Sequence, residues 1–331
     1  MDDTANLVIP QRSKSLYPIA LAVADYDRTR PLIDGRVKPE GISLTTNTAW
    51  IGDFCMRPVY EEYDAAEMSF SWYVAAHSRG EPCVALPIFL LRMPVLAYIL
   101  VREDSPAWTI KDLMGKCIGA PGYRYTVNLW LRGILADHYG MKPTDVSWIT
   151  CEREGAGYVP PKSLDITIRE GRTPEDLLLK GEVDAIFVPQ LQESFVTGKS
   201  GLRRLFRDPQ AEMRNYFRAT GIFPVTHVLV MKKELAEREP WVAENLYHAF
   251  AEAQRQADEL YRYESKMVSL PDAVFILEQQ RAAWGDNVWS HGLTPGNRKV
   301  VETFVRYAHA QNYIPRVPAI DELFAPNTLK L

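Results

Sequence analysis

The sequence predicts an α/β fold built as two lobes, one inserted into the other, with a ligand cleft between them. Strand-like and helix-like signals alternate along the chain, the mark of an α/β architecture. The 331 residues suggest about two domains. Two segments, 99–102 and 221–225, are placed to cross between lobes. That makes 1–101 plus 222–331 one discontinuous lobe and 102–221 the inserted one. A seam between lobes is a usual place for a pocket.

The elements follow in order. The apolar run 18–23 is short enough for a buried strand. Residues 59–63 belong to a helix end and lead into a strand beginning near Asp64. A helix over 73–78 is closed by Gly80, and strands follow at 83–89 and 98–102. Thr109 caps a short helix stopped by Gly115. Residues 117–120 form a strand and Pro121-Gly122 a turn. Thr126 caps a long helix over 127–139 that Gly140 ends. A strand at 146–150 precedes a polar loop, 152–163, and a strand at 164–169. Thr173-Pro-Glu-Asp176 is a helix start: a capping hydroxyl, a proline in the first turn and acids at the positive dipole end. Gly181 stops that helix before a strand at 183–188. Residues 222–231 form a long strand interrupted by Pro224. Pro240-Trp241 opens a helix to about 257, and the remainder is helical with short connectors.

Composition excludes several classes. Apolar residues make up 47% and charged residues 24%, as in an ordinary globular protein. A net charge of −4 argues against nucleic-acid binding, which needs a basic patch. No apolar run is long enough to span a membrane. The N-terminus opens on two acids and carries no convincing export signal, which places the protein in the cytoplasm. Cys55, Cys83, Cys117 and Cys151 are dispersed, so reduced thiols are expected and a zinc cluster is not. Metal and cofactor are both expected to be absent. A homo-oligomer is compatible with the composition.

The segment Asp25-Tyr-Asp-Arg-Thr-Arg30 follows the first strand, where open α/β sheets place their ligands. Trp108-Thr-Ile-Lys-Asp-Leu-Met-Gly-Lys-Cys-Ile-Gly-Ala-Pro121 resembles the strand entry of type 2 periplasmic binding-protein folds, two α/β lobes with a double-crossover hinge and a central cleft. A wider series is more specific. Asp34-Gly-Arg-Val-Lys-Pro-Glu-Gly41, Ala66-Glu-Met-Ser69, Leu86-Pro-Ile-Phe89 with Arg92-Met93, and Trp130-Leu-Arg-Gly-Ile-Leu135 follow the opening segment in order. Thr220-Gly-Ile-Phe-Pro-Val-Thr-His227, Pro240-Trp-Val242, Asn297-Arg-Lys299 and Glu322-Leu-Phe-Ala-Pro326 complete it. Over about 17–328 this series resembles the 4,5-dihydroxyphthalate decarboxylase family, enzymes on a binding-protein fold that convert a dihydroxylated aromatic dicarboxylate to protocatechuate and carbon dioxide.

The resemblance has departures. The family's Phe-Arg-His after Arg92-Met93 is Pro94-Val95-Leu96 here. Its Pro-Glu-Tyr is Pro121-Gly122-Tyr123, and its Ser-Pro-Arg is Val188-Pro189-Gln190. Bidentate Arg–carboxylate pairing is not reproduced by Gln or Val. The resemblance therefore implies a pocket altered toward a less negative substrate, or a changed reaction.

His227 is the first candidate acid/base, against a core histidine held by hydrogen bonds. Asp25 and Arg28 are candidates to orient a phenol or bind a carboxylate. The alternative is that Asp25 caps a turn and Arg28 pairs with Asp27 or Glu67. Ser69 is a candidate donor to ligand, and Arg92 either an anion contact or a structural pair. Tyr123 and Thr126 precede a helix N-terminus, a natural anion site, with capping as the alternative. Trp72 could stack on a ring or fill the core, and Gln190 stands where the family has Arg. His291 falls where the family has Tyr.

These readings give a cytoplasmic, cofactor-independent decarboxylase of aromatic-compound catabolism, acting on a hydroxylated aromatic carboxylate. One alternative is a solute-binding protein for a small organic acid. Another is a different lyase on this fold, similar to those of menaquinone synthesis.

Overall fold

The computed structural model describes residues 15–48, 52, 56–155, 158–263, 265–286 and 288–331. Its strands are β1 (Tyr17–Ala22), β2 (Ile42–Asn47), β3 (Ala65–Ser69), β4 (Cys83–Arg92), β5 (Ile99–Arg102), β6 (Cys117–Ala120), β7 (Ser147–Thr150), β8 (Ile166–Ile168), β9 (Ala185–Phe187), β10 (Leu202–Arg204) and β11 (Val225–Lys232). They form two sheets, ordered β2-β1-β3-β11-β4 and β10-β5-β9-β6-β7-β8. Most neighbours are parallel; β11 runs antiparallel to β3 and β4, and β5 antiparallel to β9 and β10. The chain leaves the first sheet after β4 and returns to it at β11. The two crossings touch: Met93 N–H donates to Pro224 O at 3.0 Å.

The strand Ile99–Arg102, read from sequence as a crossing between lobes, pairs with β9 and β10 in the second sheet. The crossing is therefore the turn Val95–Tyr98, whose Val95 and Leu96 are fully buried. Strands β2 and β10 and the helix Pro209–Thr220 go beyond the sequence reading. β2 alternates buried and exposed residues at a sheet edge, and its polar Ser-Leu-Thr-Thr-Asn gives little apolar signal.

Several local signals act as their chemistry dictates. Thr173 Oγ1 accepts from Asp176 N at 3.1 Å and starts the helix Pro174–Leu179. Gly140, at φ +70°, closes the helix Thr126–Tyr139, since this left-handed conformation favours a residue without Cβ. One apolar core runs through both lobes. Phe70 stacks on Phe304 at 4.6 Å between centroids, and Trp130 of the inserted lobe lies 5.3 Å from the same ring. A second core fills the space between the first sheet and the helix Pro240–Tyr263. Cys83, Cys117 and Cys151 are free thiols; Cys55 lies outside the described residues. No helix among the described residues is long and apolar enough to cross a membrane.

Candidate active site

Every residue of β3 is buried, so its one charged member, Glu67, must find partners inside the protein. It finds them on neighbouring strands and loops. Glu67 Oε1 lies 2.7 Å from His227 Nδ1 and accepts from Tyr26 OH at 2.8 Å. Glu67 Oε2 accepts from Ala24 N at 3.2 Å. The register places His227 opposite Ser69 and Leu229 opposite Glu67, so the acid and the imidazole meet on a diagonal across one sheet face. Nδ1 faces a carboxylate oxygen, an acceptor, and therefore carries its proton toward it. Any proton exchange with a ligand would run through the other ring nitrogen, Nε2. The His227 side chain is 11% exposed and that of Glu67 0%, so the orienting group is buried and the imidazole reaches the surface.

The backbone around His227 is irregular, and proline explains why. The β11–β4 register steps from His227↔Leu91 to Leu229↔Leu86, so β4 bulges between these pairs. Pro87 lies in the bulge and has no N–H for the ladder. The bulged backbone groups are taken up elsewhere. Gly292 N donates to Pro87 O at 2.7 Å, Phe89 N donates to His291 Nδ1 at 3.2 Å, and Arg28 Nε donates to Leu90 O at 2.9 Å. His291 thus acts as a neutral acceptor. Burial, reinforced by Arg92 and Arg28, pulls its pKa down to about 3.

Arg92 locks the same loop. Its Nη2 donates to Ser290 O at 3.0 Å and Asn297 Oδ1 at 2.7 Å, and Nη1 reaches Phe223 O at 3.4 Å. Burial and then Arg28 pull its pKa down to about 9. These contacts make Arg92 a buttress bound to neutral acceptors. Arg28 lies between two aromatic faces, 4.1 Å from the Tyr26 centroid and 4.4 Å from that of Trp289. It pairs with Asp27 at 3.2 Å, and its contact with Glu67, weighed from sequence, does not occur. Arg28, Trp289 and Tyr261 line a cavity of about 340 Å³ beside the helix Pro240–Tyr263. Small-molecule sites begin near this size, about 300 Å³. His227 is outside its lining; the ring of Tyr26 bridges the two, touching Arg28 on its face and Glu67 through its hydroxyl.

The remaining candidates separate. Asp25 lies in a half-exposed ion pair with Arg30, at 2.9 Å, and stands apart from the buried carboxylate, so the catalytic reading of Asp25 is replaced by a surface pair. Ser69 and Thr126 meet, but on each other: their hydroxyl oxygens are 2.7 Å apart, and Thr126 Oγ1 also accepts from Ser71 N at 3.0 Å. Thr126 therefore caps no helix of its own; it clasps one lobe to the other. Tyr123 is fully buried, and Trp72 carries Arg124 on its face at 3.7 Å. Gln190 is exposed beyond β9. Of the departures from the family pattern, Val95 and Leu96 are core residues rather than cleft residues. A Cβ on Gly122 would meet the Tyr125 ring at 3.0 Å and Glu152 Oε1 at 2.9 Å, so Gly122 serves close packing. Among the described residues no three His, Cys, Asp or Glu side chains gather as a metal site would require.

A 4,5-dihydroxyphthalate decarboxylase of Comamonas testosteroni is 32% identical over 327 residues, covering 94% of this chain and 97% of that protein. The chain belongs to the 4,5-dihydroxyphthalate decarboxylase family. A second 4,5-dihydroxyphthalate decarboxylase, from Pseudomonas putida, is 31% identical over 210 residues, 61% of this chain and 81% of its own length. No family model matches the chain. As a member of the decarboxylase family it is an enzyme, a carboxy-lyase. Solved structures share its fold at low identity. A putative periplasmic sulfonate-binding protein SsuA from Methylobacillus flagellatus superposes with a TM-score of 0.60 at 16% identity, covering 95% of this chain and 93% of that one. The alkanesulfonate-binding protein SsuA from Xanthomonas axonopodis, bound to MOPS, gives 0.56 at 16%, covering 96% and 99%. The decarboxylase fold here is thus the two-lobed periplasmic-binding-protein fold.

Within the decarboxylase family series, Ala66-Glu-Met-Ser69 ends β3 and supplies Glu67, and the motif ending at His227 opens β11. The sequence places Glu67 beside Ser69 at a ligand-facing turn or in a pair with Arg28, and does not connect it to His227. The signal that could have found its role was a lone acid inside a run of otherwise buried residues.

Proposed function

We propose that this decarboxylase acts without a cofactor on a hydroxylated aromatic carboxylate, with His227 as the proton carrier and Glu67 as its positioning residue. The observation that carries this reading is the 2.7 Å contact between the His227 imidazole and the fully buried Glu67 carboxylate. A buried carboxylate that fixes one ring nitrogen commits the other to proton transfer.

The chemistry needs few groups. A substrate phenol ortho or para to the carboxylate loses its proton, and the phenolate pushes electron density into the ring. The imidazolium Nε2–H delivers a proton to the ring carbon bearing the carboxylate. The bond from that carbon to the carboxylate then breaks. Carbon dioxide leaves, and the bonding pair restores the aromatic ring and the phenolate. Taking the phenolic proton back completes the balance, one proton consumed for each carbon dioxide released. An apolar setting favours the step because the departing carboxylate is poorly solvated there. Arg28, held against the faces of Tyr26 and Trp289 at the cavity wall, is the cation assigned to the substrate carboxylate. The relatives' names point to a 4,5-dihydroxyphthalate; Gln190, neutral where the family carries Arg, favours a less negative acid.

A panel of hydroxybenzoates and hydroxyphthalates, followed by carbon dioxide release, tests the reading. Turnover of at least one member is expected. Tight binding across the panel with no release from any member would overturn it in favour of a solute-binding role.

A further inference from the structure

The cavity beside Arg28 belongs to a single lobe. Its described lining residues fall at 27–28 and 254–289, and none comes from the inserted lobe. The helices Pro240–Tyr263 and Ala273–Trp284 and the segment between them build most of its wall. Arg28 ties it to the proton-transfer pair. Arg28 Nε donates to Leu90 O at 2.9 Å, one residue before Leu91, the β4 partner of His227. A ligand whose carboxylate meets Arg28 there has the rest of its body left to enter the cavity.

That body meets aliphatic side chains. Val268, Leu270, Ala273, Ile276, Leu277 and Val288 line the cavity. Ala273 is the one buried residue of its helix; Ile276 and Leu277 stay partly exposed, and covering them with an apolar group is favourable. The charges of the lining are matched among themselves. Asp27 pairs with Arg28 at 3.2 Å and accepts from Tyr261 OH at 2.7 Å. Asp286 lies 3.6 Å from Arg262 and 3.5 Å from Arg281. Asp258 accepts from Gln254 Nε2 at 2.9 Å, and burial pushes its carboxyl up. A second ligand carboxylate in this space would face acids, with the cations already engaged. Size points the same way. At about 340 Å³ the cavity is more than twice an apolar cavity of about 150 Å³ that holds benzene, so a simple hydroxybenzoate leaves much of it empty.

We infer that the substrate carries one carboxylate and, opposite it on the ring, an apolar alkyl or aryl substituent that fills this cavity, with Ile276 and Leu277 setting the preference. The inference rests on the decarboxylase reading for the role of Arg28 and adds a substrate class to it.

Calorimetric titration of the full chain with salicylate, 4-butylsalicylate and 4-carboxysalicylate tests it. The butyl acid is expected to bind about tenfold or more tighter than salicylate, since its chain leaves water for aliphatic contacts. The carboxy acid binds no tighter than salicylate. Ile276→Ser and Leu277→Ser lie on a helix with a single buried residue, so the risk to folding is small. Each is expected to lower the butyl-to-salicylate affinity ratio by about threefold or more. The ratio is taken within one variant, so any loss of folded protein cancels. Arg28→Gln weakens both acids alike and leaves the ratio in place. No binding of the butyl acid, a ratio near one in the unmodified protein, a ratio unmoved in both serine variants, or 4-carboxysalicylate binding as tightly as the butyl acid would each overturn the inference. Failure of the decarboxylase reading would appear instead as no carbon dioxide release from any acid with the ratio intact.

Discussion

Glu67 and His227 are 160 residues apart in sequence and 2.7 Å apart in space, the acid wholly buried and the imidazole at the edge of solvent. The antiparallel pairing of β3 with β11 creates this relationship, and that pairing exists only because the chain crosses to the second sheet and returns.

Glu67→Gln keeps the shape and an acceptor for Nδ1 but replaces the carboxylate that fixes the ring by a neutral amide that can also turn its NH2 to the ring. It is expected to lower kcat by about 10²-fold, the lower range for general acid–base catalysis, with KM little changed. Steady-state kinetics on an active member of the panel measure it. A fall confined to KM would assign Glu67 to binding instead.

Thr126→Val removes the hydroxyl that joins Ser69 and Ser71 to the inserted lobe while keeping side-chain shape. The expected loss is about 1–3 kcal/mol in urea unfolding, since buried donors are left without a partner. Small-angle scattering should show a larger radius of gyration. Unchanged stability and size would mean that the clasp contributes nothing to lobe closure.

His291 gives the fold an acid-sensitive point. Its pKa is about 3 in the folded chain against an ordinary 6.5. The unfolded chain therefore takes the proton first. Stability from this group is complete above pH 6.5 and is lost progressively as pH falls toward 3. At about 1.4 kcal/mol per pH unit, the loss by pH 4 is on the order of 3 kcal/mol. His291→Gln retains an acceptor for Phe89 N and does not titrate. Its urea midpoint should fall less between pH 6.5 and 4 than that of the unmodified protein; equal slopes would remove His291 as the cause.

Arg92→Met replaces a buried guanidinium that holds Ser290, Asn297 and Phe223 by a side chain that binds none of them. The variant should lose about 1–3 kcal/mol, since buried acceptors are left without their donor. Thermal unfolding checks this. A stability loss without any change in KM on the surviving folded fraction would mark Arg92 as structural; a KM effect at unchanged stability would return it to substrate binding.

Local chemistry made much of the fold legible in the sequence. The apolar run of β1, the Thr173 cap and the Gly140 stop each act within a few residues, and the family series carried the two-lobed architecture. Long-range pairing was less legible. Nothing near Glu67 announces that its partner lies on β11, and nothing near Pro87 reveals that β4 bulges to receive the 289–292 loop. The Asp25–Arg30 pair is local, yet the same charges at a strand end read equally well as a ligand contact until the side chains are seen to close on each other. Val95 and Leu96 are illegible for a related reason: a crossing between lobes is built from core residues as well as cleft residues, and sequence spacing does not separate them.

The central claim is that His227, oriented by Glu67, carries the proton that replaces the carboxylate. The direct measurement is kcat for carbon dioxide release by His227→Asn and the unmodified protein on the same aromatic acid, with folding of both verified by circular dichroism. A folded variant slowed by about 10²–10⁴-fold is the predicted result. A folded His227→Asn that retains kcat within a few-fold would contradict it.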